Sequence, residues 1–238
     1  PSAAEFICIK LIQKFVSDKI MLATYKDGTA PAELQDLLTE MLAAWNSTVP
    51  VGNIRTVMQV MLEPVNQSSL FWSETAYRSK VKTPVEFINS SLRALDGAAS
   101  GKGLPGLSDA MGMHLFTRDD PDGYSELGFD WIDTASMLER IDFVRELAEN
   151  RNTKYTWDPI RVIEERDLET ADQIINFFNE LLYQNTLTIA NEYLLLNYLT
   201  TDENGNPISL DRMNTQDLRQ QIQKTVGLML SLPQWHFQ

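Results

Sequence analysis

Six carboxylates fall within fifteen residues: Asp119, Asp120, Asp122, Glu126, Asp130 and Asp133, with His114 just upstream. Oxygen donors clustered on irregular backbone suit a hard cation, because calcium takes six to eight oxygens. Asp119, Asp120, Asp122 and Glu126 are the ligands this stretch would offer, and calcium is the ion they would take. The helix–loop–helix calcium register fails, since Arg118 stands where the first ligand should be. A local reading competes. Asp122–Gly123 makes a turn, and Asp133 or Thr134 caps the following helix.

A cationic run, Arg78, Lys80 and Lys82, lies just before a helix. It could bind an anion or pair with the acidic stretch. Pairing is preferred, because half-buried charges are usually partnered. Other constellations fall short of chemistry. Gly97-Ala98-Ala99-Ser100-Gly101-Lys102-Gly103 resembles a phosphate loop in outline. The spacing is one residue short, Gly103 ends it in place of Ser or Thr, and a helix precedes it where a strand is needed. His114 and His236 are the only histidines, and neither lies in a metal-pair spacing. No serine sits in a GxSxG elbow. Asp202, Asn204 and Asn206 alternate as calcium ligands would, but Pro207 occupies the glycine position, so a turn is expected. Cys8 is the only cysteine, which excludes an internal disulfide and a cysteine metal cluster. It shares an apolar stripe with Leu11, Ile12 and Phe15 and is expected to be a buried, inert thiol.

The elements that must hold these residues are helices. Apolar residues recur at i, i+3, i+4 and i+7 over 4–18 (Cys8, Leu11, Ile12, Phe15, Val16), 31–45 (Leu34 to Trp45) and 54–62. Thr83 to Glu86 reads as a capping box with Pro84 at the first helical position. That helix is expected to bury Val85, Ile88, Leu92 and Leu95 and to end at Asp96–Gly97. Thr170 to Gln173 opens another, with Ala171, Ile174, Ile175, Phe178, Leu181 and Leu182 inward. Further helices are expected over 187–199 and from about Gln216 to Leu230, stopping before Pro233. No alternating strand pattern is convincing. Residues 97–107, with four glycines and a proline, read as a loop.

The fold class that follows is all-α: one compact multi-helix domain over residues 1–238, with a long ordered acidic loop near 117–133. A subdomain division near 97–133 is the alternative. Such a long loop in a helical domain is more often functional than its neighbours. Tyr124, Phe129, Trp131 and Ile132 would tack it down, with Trp131 buried. Arg118, Arg140, and Arg78 or Lys80 would supply opposite charge, so that at least two of the carboxylates meet an arginine or lysine.

The formal net charge is -13, which repels phosphate backbones and anionic lipid, so nucleic acid is not the expected partner. No stretch is long and apolar enough for a transmembrane segment. The most apolar, Leu187 to Leu199, is broken by Asn191, Glu192 and Asn197.

Several blocks together carry a resemblance. They include Glu5-Phe6-Ile7-Cys8-Ile9-Lys10-Leu11, then Tyr77-Arg78-Ser79-Lys80-Val81-Lys82-Thr83-Pro84-Val85-Glu86-Phe87, then Asp120-Pro121 with Gly123-Tyr124. Trp131-Ile132-Asp133-Thr134, Leu138-Glu139-Arg140, and Leu230 to Gln238 complete the set. In this order they resemble the exported bacterial proteins grouped as domain of unknown function 1800. The resemblance marks Arg78, Lys80, Lys82, Pro84, Glu86, Gly123, Tyr124, Trp131 and Arg140 as a structural or interaction motif. It implies an exported setting in the periplasm, at the cell surface or outside the cell. It also implies company with a second exported family that resembles sulfatases and alkaline phosphatases. It supplies no catalytic residue. Two departures stand out. The family usually has Pro-Pro and Gly-Trp where this chain has Asp120-Pro121 and Gly123-Tyr124. Its domains are also longer, so this chain, starting at Pro1 within a helix pattern, is expected to be the C-terminal half of a longer precursor.

The expected function is that of an exported, non-catalytic structural or protein-interaction subunit of the envelope or exterior. The expected partner is a protein, either the chain's own N-terminal half or a sulfatase-like exported protein. The alternative is a metal-assisted or carboxylate-using hydrolase centred on 119–133.

Overall fold

A computed structural model describes residues 3–63, 70–118 and 120–238. Among them are eleven α-helices and a single two-stranded sheet, so the chain is an all-α protein. The helices are α1 Ala3–Phe15, α2 Leu22–Lys26, α3 Ala32–Asn46, α4 Ile54–Leu62, α5 Pro84–Ala94 and α6 Leu104–Ala110. They continue with α7 Thr134–Ala148, α8 Pro159–Glu165, α9 Ala171–Tyr183, α10 Ile189–Leu199 and α11 Thr215–Leu230. Strands β1 (Ala98–Ala99) and β2 (Tyr155–Thr156) pair antiparallel, Ala98 opposite Thr156 and Ala99 opposite Tyr155.

The chain divides into two compact units. Unit 1 holds residues 1–82, 122–131 and 237–238; unit 2 holds 83–121 and 132–236. Its boundaries therefore fall at 82/83, 121/122, 131/132 and 236/237.

In unit 1, α1 and α4 both pack on α3. Cys8, Ile9, Ile12, Leu34, Leu38, Met41, Val57 and Met61 form its core. Of the stripe expected on α1, Cys8, Ile12 and Val16 are buried and Leu11 is half-buried. Ile9 is inside, while Phe15, at the last helical residue, is half exposed. Cys8 is fully buried, and the loss of solvent pushes its thiol up to about 11.

In unit 2, α7 and α11 pack together, with α10 between α9 and α11 in the contact order. Phe87, Phe143, Phe178, Tyr183, Val226 and Trp235 lie in its core. The helix starts follow the sequence signals closely. Thr83 and Glu86 form the expected capping box on α5, its N–H donors and oxygen acceptors exchanged at 2.9 and 3.4 Å. Thr170 and Gln173 do the same for α9. Two buried faces need correction. On α5, Phe87 is fully buried while Val85 is only half-buried, and on α9 Leu181 is exposed. The 97–107 loop is also shorter than expected: β1 pairs within it and α6 begins at Leu104, with Pro105 in its first turn, where a missing N–H costs nothing. The Asp202 turn is as expected, with its Oδ1 accepting the N–H groups of Asn204 and Asn206.

Candidate functional site

Of the acidic loop, Asp119 lies outside the described residues. Pro121 and Asp122 form a turn, Gly123 follows it at φ +79°, and residues 128–131 make one turn of 3-10 helix. Gly128 donates its N–H to Asp18 Oδ2 at 2.7 Å, which fixes the loop to the end of α1. Trp131 is buried, its ring 5.6 Å from that of Tyr124, and its indole N–H donates to the Ser125 carbonyl at 3.2 Å. Phe129 does not anchor the loop; it is 64% exposed.

The carboxylates have local partners. Glu126 meets Lys10 of α1 at 2.9 Å, and Asp130 accepts from the Ser125 hydroxyl. In unit 2, Asp120 meets Arg118 at 2.7 Å. Asp133 is the N-cap of α7, accepting the Ser136 N–H at 2.8 Å. Among the described residues, at least two of the carboxylates thus meet an arginine or lysine. Among the described residues, no group of three His, Cys, Asp or Glu is arranged to hold a metal ion.

In the 78–86 block, Lys80 and Arg78 have local contacts. Lys80 donates its ammonium to the Lys14 carbonyl at 2.7 Å, and its backbone pairs with Gln238. Arg78 sits at φ +50° with its guanidinium 5.2 Å from the Tyr77 ring centre, and Lys82 is buried. Pro84 and Glu86 open α5. Arg140 is fully buried on α7, its guanidinium 4.9 Å from the ring of Phe87, which stacks in turn on His236. Burial holds the Arg140 guanidinium down to about 10, still protonated at neutral pH.

Two features of unit 2 escaped sequence reasoning. One is the outer face of α10. Leu195 and Leu199 point into the core, yet Ile189, Tyr193, Leu194 and Tyr198 are 84%, 69%, 61% and 42% exposed. The other is a cavity of about 240 Å³ between α5, α8 and α9. Trp157, Phe177 and Phe178 supply its aromatic wall, and Arg93, Arg161 and Arg166 its cations. Arg161 is held by Asp96 at 2.6 Å and Glu165 at 3.7 Å. The α10 face had a visible signal, apolar residues on more than one side of the helix. The cavity had none, since its lining residues are far apart in sequence.

No helix among the described residues is long and apolar enough to cross a membrane. No curated protein and no solved structure matches the chain. Residues 1–237, essentially the whole sequence, match the family described as protein of unknown function (DUF1800), and the chain belongs to that family.

Proposed function

We propose that this protein is an exported, non-catalytic interaction subunit and that it binds through the outer face of α10. The observation that carries the reading is the exposure of Ile189, Tyr193, Leu194 and Tyr198 on one helix. Large apolar residues of a helix normally face a core, and these four do not. The four residues expose on the order of 600 Å² together, the upper end of the range for the largest apolar patch of an ordinary monomer. With a rim of neighbouring residues, that approaches the ~800 Å² per partner of a stable interface.

The occupant that fits best is a second copy of the chain. The exposed positions 189, 190, 193, 194, 197 and 198 are symmetric about the middle of the helix. Two copies of α10 packed antiparallel about a two-fold axis set Ile189 against Tyr198, Ala190 against Asn197, and Tyr193 against Leu194. Such an isologous contact is self-complementary by construction. No charge lies on this face. Glu192, the one charged residue of α10, accepts from the Asn179 side-chain amide at 2.6 Å instead. Sedimentation equilibrium of the full chain should give a dimer at tens of micromolar, and Tyr193→Asp with Leu194→Asp should give a monomer that melts cooperatively. A wild-type monomer at every concentration would remove the second copy as occupant. Export rests on the family resemblance and is read by cell fractionation, where a wholly cytoplasmic pool would overturn it.

A further inference from the structure

The cavity lined by α5, α8 and α9 has the chemistry of a small-molecule site. Its wall is aromatic: Trp157 and Phe178 are buried core residues, and Phe177 is half-buried beside them. Of its three arginines, Arg161 is committed to Asp96 and Glu165 and acts as a fixed wall. The other two are not committed in this way. Arg166 lies 5.7 Å from the Phe177 ring centre, and among the described residues no carboxylate pairs with it or with Arg93. Both sit at helix C-terminal ends, Arg93 in the last turn of α5 and Arg166 at the C-cap of α8. The helix dipole accounts for a cation at each of those ends. It does not account for both cations lining one aromatic cavity, in a chain whose acidic residues outnumber its basic ones 33 to 20.

We propose that this cavity binds a small aromatic carboxylate, its ring against Trp157, Phe177 and Phe178 and its carboxylate between Arg93 and Arg166. Guanidinium groups suit this role because their planar fork of donors matches a carboxylate's two oxygens. A ring between aromatic edges buries apolar surface while leaving the charged end at the rim, the usual division of labour in a ligand pocket. About 240 Å³ takes a body of one or two rings. That is below the ~300–1,000 Å³ of drug-sized sites, so the ligand is a small one.

The test uses the full chain, titrated calorimetrically with 1-naphthoate, with the neutral 1-naphthylmethanol and with acetate. The naphthoate should bind saturably with a Kd below about 1 mM, a modest value for a ligand of few atoms. The alcohol and acetate should each bind at least tenfold more weakly, since each lacks half of the recognition. Arg93→Gln with Arg166→Gln should weaken naphthoate at least tenfold. Both side chains are exposed, so the fold should hold, which an unchanged melting temperature would verify. As a control, Arg145→Gln on α7 should leave the Kd unchanged. Absence of saturable naphthoate binding would overturn the proposal. Equal binding of the alcohol, or unchanged binding by the double variant, would do the same.

Discussion

Gly128 has no room for a side chain. A Cβ there would lie 2.8 Å from both the Cβ and the backbone nitrogen of Val81, and 3.0 Å from the Asp18 oxygen that receives its N–H. Backbone cannot yield as a flexible side chain does, so Gly128→Ala should cost about 1–3 kcal/mol by overpacking. Three residues on, Trp131 fills its site and satisfies its own indole N–H, so Trp131→Ala should cost about 3–5 kcal/mol. Urea unfolding of both variants checks the pair. A cost below about 0.5 kcal/mol for either would mean that the loop is not fixed to α1 in this way. Single residues varied in how far the sequence revealed them. Cys8 could be read as buried because it lies on an apolar stripe, and Trp131 because a large indole is the anchor that an acidic loop needs. Arg140 could not, because its burial against Phe87 depends on a contact fifty-three residues away in the chain.

At the scale of elements, helices with a capping signal and two or more turns were legible. α5 and α9 start where their Thr residues say, because the cap satisfies backbone N–H groups that nothing else reaches. α2, α6 and α8 were not legible, since five or seven residues are too few to show a 3.6-residue period. The strands were hidden for the same reason, being two residues each. The acidic loop is the element where chemistry was most expected, and its charges are offset locally. Lys10 meets Glu126, Arg118 meets Asp120, and Asp133 is spent on an N-cap. Exposed pairs of this kind contribute about 0–1 kcal/mol each. Calcium at millimolar concentration should therefore leave the melting temperature unchanged, and Asp122→Asn should melt like the parent. A rise of several degrees with calcium, lost in Asp122→Asn, would place a cation among these carboxylates and favour the hydrolase reading.

At the scale of the whole molecule, charge and apolar surface pull in opposite directions. Each copy carries -13, so two copies approaching through α10 repel. The face that would join them carries no charge, so nothing electrostatic is gained at contact. Salt then acts only on the repulsion, whose range falls from ~10 Å at 0.1 M to ~3 Å at 1 M. Burial of Ile189, Tyr193, Leu194 and Tyr198 is not screened by salt, because apolar association does not run on charge. Dimerisation should therefore tighten between 0.05 and 0.5 M sodium chloride, by several-fold in Kd. An interface built on ion pairs would do the reverse and loosen over the same range. Sedimentation equilibrium across that series distinguishes the two. A dimer that loosens with salt would move the contact away from α10 to a charged surface, and the Tyr193→Asp variant would then dimerise as the parent does.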